Sequence, residues 1–234
     1  MKGGGSIAES PLVQGFASGS DGLRMLTLKP GLDAAAASKA LARADAIFRP
    51  VIRRAGPCQL APERSFEPFG ALAHAIAHQQ LHGKAAATIL GRFKDQVGKG
   101  EFPDAAVVKK ARFDALRAVG FSNAKALALK DLAAKTLDGT VPTARALRKM
   151  SDEEIVERLT EVRGVGRWTV QMLLMFRLGR LDVWPIDDFG VRNGWSKLHR
   201  QRELVKPKVL LPVGERYRPY RSVAAWYCWR ALEP

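Results

Sequence analysis

Apolar residues along this chain recur at helical spacing from Asp33 onward, in segments that are rich in alanine and leucine. Helix signals follow one another with short interruptions, and the clearest cover residues 69–79, 84–97, 122–139 and 222–232. No run of alternating apolar and polar residues demands a β-strand. The pattern therefore predicts an all-α fold.

Local capping signals mark two of the predicted helices. Ser122 can cap the N-terminus of segment 122–139, and Gly139 can end that segment. Ser151 and Glu154 form a capping-box pattern that opens a further short helix. We expect three leucines of the first segment to lie near one face of its helix, among many alanines: Leu127, Leu132 and Leu137.

Two segments lack this periodicity. Residues 1–30 are rich in glycine and serine, and we interpret them as a tail or a loosely packed extension. Residues 200–221 are rich in proline, lysine and arginine, which is typical of a surface connection. The basic side chains of this connection could reach phosphates, although a solvated loop is the commoner explanation for any one of them. They include Lys206, Lys208, Arg216, Arg218 and Arg221.

Charge narrows the class of partner. The 234 residues contain 38 Lys and Arg against 23 Asp and Glu, which gives a formal net charge of +15 at pH 7. This excess favours a polyanion such as nucleic acid, through phosphate neutralisation and counterion release. No segment approaches the roughly 20 apolar residues of a membrane-spanning helix, and the first residues lack the apolar core of a signal peptide. We therefore expect an intracellular protein, cytoplasmic and nucleoid-associated if bacterial, with no membrane partner. We also expect a monomer, because no self-complementary apolar face stands out in the sequence.

Metal-binding patterns are weak. Cys58 and Cys228 are the only cysteines, too few for a four-thiolate zinc or iron–sulfur site, and we interpret them as reduced, partly buried thiols. His74, His78 and His82 recur every four residues, which could suggest metal ligation on one uninterrupted helix. No carboxylate or cysteine completes that set, and the helix is expected to end before His82. A loop histidine near phosphate is therefore the preferred interpretation.

The most informative stretch is a Gly-x-Gly, formed by Gly164 and Gly166, between two helical segments. Glycines permit a tight turn and let the backbone approach a ligand closely. Their amides and the N-terminus of the following helix would form an anion site, which suits a DNA phosphate. By itself the pattern is also explained by a tight interhelical turn. A dinucleotide site is disfavoured, because the preceding segment is helical and the third glycine of that fingerprint is missing.

The whole string Val-Arg-Gly-Val-Gly-Arg-Trp-Thr, at residues 162–169, resembles the helix-hairpin-helix element of DNA glycosylases, in the branch of 3-methyladenine DNA glycosylase II. The resemblance implies DNA contacts at Gly164, Gly166, Arg167 and Thr169. It also implies a structural Na⁺ or K⁺ ion on three backbone carbonyls, with no other cofactor required. These carbonyls are those of Thr160, Val162 and Val165.

A second string, Pro-Ile-Asp-Asp at residues 185–188, matches the Pro-x-Asp-Asp of related glycosylases and assigns Asp188 as the catalytic carboxylate. A carboxylate there can stabilise an oxocarbenium-like sugar and orient or deprotonate a water. Paired acidic residues before an apolar segment also cap helices. We expect Asp187 to cap the helix and Asp188 to face the pocket; the reverse order would move the catalytic assignment by one residue.

The resemblance also separates two kinds of chemistry. Bifunctional relatives carry a lysine, which forms a Schiff base with the sugar, where this chain has Trp168. Strand cleavage by β-elimination is therefore not expected. Two cysteines also cannot build the four-cysteine iron–sulfur cluster that those relatives often carry.

Excision of a base requires that it be flipped into a pocket and that the gap be filled. We assign the pocket to Trp168, Met172, Phe189 and Trp229. The string at residues 76–86 is similar to the family's Gln-Gln-(Ile/Leu)-Ser-x-x-Ala-Ala, with a histidine in place of the serine. Its DNA contacts would be Gln79, Gln80, Leu81 and His82, and Gln80 or Leu81 would enter the duplex from the minor groove.

The resemblance implies a two-lobed helical glycosylase fold over residues 31–234, without the N-terminal sheet domain of longer relatives. A central bundle would span about 70–180, and a second lobe would form from about 31–69 and 181–234, with the active-site cleft between them. The expected function is hydrolytic excision of alkylated bases of the 3-methyladenine or 7-methylguanine type from double-stranded DNA, which leaves an abasic site. Two alternatives stay open: a non-catalytic helix-hairpin-helix DNA-binding module, and a glycosylase for other damaged or mismatched bases.

Overall fold

The computed structural model describes residues 34–60 and 65–234, and all regular secondary structure within these residues is helical. The predicted all-α fold is therefore confirmed for this part of the chain, whereas the predicted extension over residues 1–30 lies outside it. None of the helices in the described part is long and apolar enough to cross a membrane.

Thirteen α-helices follow one another along the described residues. In chain order they are α1 (Ala34–Ala44), α2 (Arg49–Ala55), α3 (Pro68–His78), α4 (Gly83–Arg92), α5 (Ala105–Lys110), α6 (Phe113–Ala118), α7 (Asn123–Leu137), α8 (Ala144–Leu147), α9 (Asp152–Thr160), α10 (Arg167–Phe176), α11 (Phe189–Leu198), α12 (Pro207–Val213) and α13 (Arg221–Leu232). Short 3₁₀ segments lie at Ala46–Phe48 and Gly214–Tyr217, and α4 continues into a π-helical turn at Phe93–Val97.

Contacts between Cα atoms divide the chain into two compact units. Among the described residues, the first unit contains 34–60 and 174–234, and the second contains 65–173. Helix α10 begins in the second unit and ends in the first.

The capping signals act in the second unit as predicted. The Ser122 side chain accepts a hydrogen bond from the backbone N–H of Lys125 at the start of α7, and Gly139 follows the end of that helix with a φ of 87°. Ser151 and Glu154 form the reciprocal capping box of α9. Both capping predictions are confirmed.

The predicted leucine face of α7 is wrong. Leu132 is fully buried, whereas Leu127 and Leu137 are 40% and 55% exposed. Residues five apart on an α-helix are separated by roughly 140° around its axis, so these three leucines cannot share a face. The buried side of α7 combines Leu132 with mostly small residues: Ala126, Ala128, Leu129 and Ala133.

Helix α13 forms the centre of the first unit, since nine of its 12 residues are buried. Where it meets α11, a Cβ on Gly194 would stand 1.8 Å from the carbonyl oxygen of Cys228, so the two backbones approach this closely only because residue 194 is glycine. Cys228 and Cys58 are both free thiols, as predicted, although their burial is complete rather than partial.

The stretch 200–221 is not a plain surface connection. It contains α12 and a 3₁₀ segment, and four of its residues are buried: Val205, Leu210, Gly214 and Tyr217. The indole Nε1 of Trp184 donates to the carbonyl of Leu210 at 2.9 Å, and the Tyr217 hydroxyl donates to Asp45 at 3.0 Å. The basic composition of the stretch concealed a few widely spaced apolar residues that belong to the core.

Candidate active site

Asp188 lies at the N-terminus of α11, and only 6% of its surface is exposed. Its Oδ1 accepts hydrogen bonds from the backbone N–H of Val191 at 2.7 Å and from the indole Nε1 of Trp229 at 2.8 Å. The first bond pairs an amide that the helix itself leaves without a partner. The two donors together hold the carboxylate in one orientation.

The expected division of roles between the two aspartates is wrong. Asp188 caps α11, and the Asp187 side chain is exposed. The catalytic assignment nevertheless does not move to Asp187, because capping and a pocket role do not exclude each other. Asp188 remains the buried carboxylate that a tryptophan donor orients, and its catalytic role stays a prediction.

Gly190 makes this arrangement sterically feasible. A Cβ on residue 190 would lie 2.7 Å from Cδ1 of Trp229, 2.9 Å from Nε1 of the same ring and 3.2 Å from Oδ1 of Asp188. The ring of Phe176 stacks on Trp229 with centroids 5.7 Å apart, and Trp229 is only 2% exposed. The indole is therefore confined. Our sequence reasoning missed both Gly190 and Phe176, although a glycine in the first turn after a candidate carboxylate was a visible signal.

The hairpin between α9 and α10 has the geometry expected of its two glycines. Gly164 has a φ of 77°, in the left-handed region that favours glycine, and the N–H of Val165 donates to the carbonyl of Val162 at 3.0 Å. Both valines are buried, whereas both glycines are exposed. At Gly166 an added Cβ would meet no atom within 4 Å. The fold itself therefore does not require glycine there, and the space before α10 is open.

Residues 73–211 match the family model described as HhH-GPD superfamily base excision DNA repair protein. The chain belongs to this superfamily. The matched segment contains both the glycine hairpin and Asp188, which confirms the resemblance inferred from the sequence strings.

Two relatives from Schizosaccharomyces pombe illustrate the similarity. This HhH-GPD protein is 44% identical over 172 residues to DNA-3-methyladenine glycosylase 1, an alignment that covers 72% of this chain and 75% of that protein. It is 31% identical over 195 residues to alkylbase DNA glycosidase-like protein mag2, covering 83% of this chain and 92% of mag2.

Solved structures agree with the fold. The S. pombe 3-methyladenine DNA glycosylase Mag1 in complex with abasic DNA aligns with a TM-score of 0.73 at 40% identity, covering 83% of this chain and 95% of Mag1. The DNA-3-methyladenine glycosidase of Bacillus halodurans aligns with a TM-score of 0.76 at 30% identity, covering 90% of this chain and 93% of that one. The predicted helix-hairpin-helix glycosylase fold is confirmed.

Three side chains brace the hairpin of this HhH-GPD protein. Asp131, on α7, accepts the backbone N–H of Arg163 at 2.7 Å and pairs with Lys135 at 3.2 Å. Lys135 also donates to the carbonyl of Glu161. The side-chain Nε2 of Gln79 donates to the carbonyl of Gly164 at 2.8 Å. Our sequence reasoning missed these contacts, because their partners are distant in sequence.

The predicted DNA-contacting side chains differ in exposure. Helix α3 ends at His78, after which Gln80 is exposed with a φ of 55°, Leu81 is half-buried and His82 is exposed immediately before α4. Arg167 is exposed and forms an ion pair with Glu153. Thr169 is only 4% exposed, and its predicted contact with DNA stays a prediction.

The four residues assigned to the base pocket divide between the units. Trp229 and Phe189 belong to the first unit with Asp188, and Phe189 is 65% exposed although it is aromatic. Trp168 and Met172 belong to the second unit, where Trp168 is half-buried and Met172 is fully buried. Their joint role in binding a base stays a prediction.

The histidines of α3 take part in packing. His74 stacks on Phe102 with centroids 4.8 Å apart, and burial lowers its pKa to about 4. His78 is buried, its Nδ1 lies 2.9 Å from the carbonyl oxygen of His74, and burial also lowers its pKa. Within residues 34–60 and 65–234, no three His, Cys, Asp or Glu side chains are grouped as metal ligands.

Proposed function

We propose that this protein is a monofunctional DNA glycosylase, which hydrolyses the N-glycosidic bond of alkylated bases such as 3-methyladenine or 7-methylguanine in double-stranded DNA and leaves an abasic site. The relative with 44% identity and the two solved structures, which are named for 3-methyladenine excision, support this substrate class. The observation that carries the proposal is the buried Asp188 carboxylate, oriented by Trp229.

The chemistry follows from the charge that develops on the sugar. As the bond between C1′ and the base nitrogen breaks, its electron pair leaves with the base and the sugar becomes oxocarbenium-like. A fixed carboxylate such as that of Asp188 stabilises this positive charge and accepts a proton from the water that adds to C1′. An alkylated purine carries a positive charge while it is bonded to the sugar, and it leaves as a neutral base. It therefore has less need of a general acid from the protein.

The absence of strand cleavage follows from the second residue of α10. Trp168 stands where an amine nucleophile would be required for a Schiff base with the sugar, and an indole cannot form one. Water is then the nucleophile, and the product is an intact strand with an abasic site.

We assign DNA binding to the exposed hairpin and to the loop that follows α3. The open space before α10 would admit a phosphate close to the amides of Gly164 and Gly166, and the positive end of the helix dipole would attract it. Arg167 would add charge beside this phosphate. Gln80, Leu81 and His82 would face the minor groove.

The alkali-ion proposal rests on neutral backbone carbonyls, which suit a hard cation better than a transition metal. The carbonyls of Thr160, Val162 and Val165 would hold the ion. That of Val162 already accepts one hydrogen bond, from the N–H of Val165, and a carbonyl oxygen has two lone pairs. An ion there would stabilise the hairpin and take no part in bond cleavage.

Base release tests the catalytic assignment. Duplexes that contain 3-methyladenine or 7-methylguanine would be incubated with the wild type, Asp188→Asn and the exposed neighbour Asp187→Asn, and free base would be measured under single-turnover conditions. Asparagine keeps the helix cap but not the charge, so Asp188→Asn should fold normally and release base at least about 100-fold more slowly. Asp187→Asn should match the wild type.

Each other outcome has a defined meaning. Equal release by Asp188→Asn and the wild type would refute the assignment of Asp188. A wild type that binds DNA but releases no base from a panel of lesions would favour the non-catalytic binding module. Release confined to mismatched or oxidised bases would place the enzyme in another glycosylase class.

The phosphate site has its own matched pair of variants. Gly166 and Gly91 are both exposed, and a Cβ at either would meet nothing within 4 Å. Gly166→Ala should therefore fold normally but weaken binding to abasic duplex, because the added methyl group would occupy the space in which the phosphate approaches the backbone amides. Gly91→Ala should leave this affinity unchanged. Equal affinity for the two variants would remove the hairpin from the DNA interface.

A further inference from the structure

Gln79 connects two parts of the second unit that lie far apart in sequence. Its backbone N–H donates to the carbonyl of Ile76 at 3.4 Å, which ends α3. Its side-chain Nε2 donates to the carbonyl of Gly164 at 2.8 Å, across 85 positions of sequence. The string to which Gln79 belongs predicts a DNA contact, yet one of the two N–H donors of its side chain already binds within the protein.

The bond from Gln79 acts on a peptide group that is otherwise easily rotated. The peptide between Gly164 and Val165 follows a residue with a φ of 77° and precedes Gly166 by one position, and glycine restricts backbone rotation least. Its N–H end is bound by the carbonyl of Val162 at 3.0 Å. Its carbonyl end is bound by Gln79. The two bonds together fix the plane of this peptide, which lies one residue before the exposed amide of Gly166.

The end of α3 is itself a firm support for this contact. The Lys125 ammonium donates to the carbonyl of Ala77 at 2.7 Å, and the N–H of Leu81 donates to the carbonyl of His78 at 3.2 Å. Gln79 is half-buried between these bonds. Its side chain therefore starts from a backbone that α7 and the following turn hold in place.

We propose that Gln79 is a positioning residue: it holds the glycine hairpin in the orientation that binds a DNA phosphate, and does not itself contact DNA. The inference rests on the proposed function, because it takes the hairpin as a phosphate site. Without the bond, the hairpin would sample other peptide orientations, and DNA binding would have to restrict them. Since a hydrogen bond of this type contributes modestly in net terms, we expect Kd for abasic duplex to rise about threefold to tenfold.

A double-mutant cycle separates positioning from direct contact. Gln79→Met keeps the length and neutrality of the side chain but removes its donor, and Gly166→Ala obstructs the phosphate site. Kd for a duplex with a stable abasic-site analogue would be measured for the wild type, both single variants and the double variant. If Gln79 acts through the hairpin, the double variant should bind no more than about twofold more weakly than Gly166→Ala alone.

Gln80→Ala provides the matched comparison. Gln80 is exposed and is proposed to contact DNA itself. The factors by which Gln80→Ala and Gly166→Ala raise Kd should therefore multiply in the double variant. At saturating enzyme, Gln79→Met should also release base at the wild-type single-turnover rate, because Asp188 is unaffected. A general loss of structure would instead lower this rate and the melting temperature.

Three results would overturn the proposal. They are multiplicative effects of Gln79→Met and Gly166→Ala, an unchanged Kd in Gln79→Met, and a loss of single-turnover rate without a loss of affinity. If Gln79→Met does not fold, Gln79→Glu, which has the same shape and cannot donate when ionised, repeats the cycle. The proposed function would be refuted by a different result, a wild-type protein that releases no base. The double-mutant cycle uses only Kd values, so the two failures can be told apart.

Discussion

Replacing Gly190 with alanine tests whether the geometry around Asp188 is as narrow as the distances indicate. The added Cβ would lie 2.7 Å from Cδ1 and 2.9 Å from Nε1 of Trp229. Carbon atoms in contact prefer about 3.5–4.0 Å, so the indole must shift by roughly 1 Å. Phe176 stacks on the same ring, and Trp229 is almost fully buried, so this shift cannot occur without repacking.

Two opposing effects determine the stability of Gly190→Ala. In a helix, alanine is more stable than glycine by about 0.5–1 kcal/mol. Overpacking of a tight site costs about 1–3 kcal/mol, and loss of the bond from Trp229 to Asp188 leaves a buried acceptor less well satisfied, at a cost of about 1–3 kcal/mol. The unfavourable effects are larger, and we expect a net loss of about 1–5 kcal/mol in the free energy of unfolding.

Base release should slow as well. A displacement of about 1 Å at a reacting group can cost up to about 100-fold in rate, so we expect single-turnover base release to slow about 10-fold to 100-fold. Urea unfolding and base release would be measured for Gly190→Ala and for Gly91→Ala, a helical glycine with no atom within 4 Å of the added Cβ. Gly91→Ala should be slightly more stable and equally active.

The reasoning would be refuted if Gly190→Ala were as stable as Gly91→Ala and released base at the wild-type rate. Trp229→Phe supplies an intermediate case, since it removes the Nε1 donor without adding a clash. It should slow base release, but with a smaller loss of stability than removal of the whole ring would cause.

Two further predictions concern stability. Gly194→Ala would place a Cβ 1.8 Å from the carbonyl oxygen of Cys228, and because that oxygen belongs to the backbone, α11 and α13 must separate. We expect the free energy of unfolding, measured in urea, to fall by about 3 kcal/mol or more. A loss below about 1 kcal/mol would contradict the close approach of the two helices. The pKa of His74 falls from an ordinary 6.5 to about 4 on folding, so the unfolded chain binds more protons between these values. The free energy of unfolding should therefore contain the full contribution of neutral His74 above about pH 6.5, and it should decrease as the pH falls toward about 4. His74→Phe, which retains a ring to stack on Phe102, should make this decrease shallower, and an unchanged pH profile would show that His74 does not contribute.

The sequence by itself determined the helices and the family. Ser122 and the Ser151–Glu154 pair act on amides only three positions away, so their capping role can be identified without knowledge of the fold. The hairpin string and the Pro-x-Asp-Asp string are also short and contiguous, so they indicate the family without knowledge of the fold. The prediction of a leucine face on α7 was wrong, because a spacing of five residues does not match the helical repeat.

Tertiary structure alone decided which side chains form the site and what each one does. Asp188 is oriented by Trp229, 41 positions away, and Gln79 binds the hairpin across 85 positions. The close approach of α13 requires glycine at positions 190 and 194. The residues next to these glycines in sequence do not reveal that approach. Such hydrogen bonds and steric limits depend on how helices pack against one another. A pattern of residue types along one helix encodes which face is apolar, but not which atom of another helix will meet it.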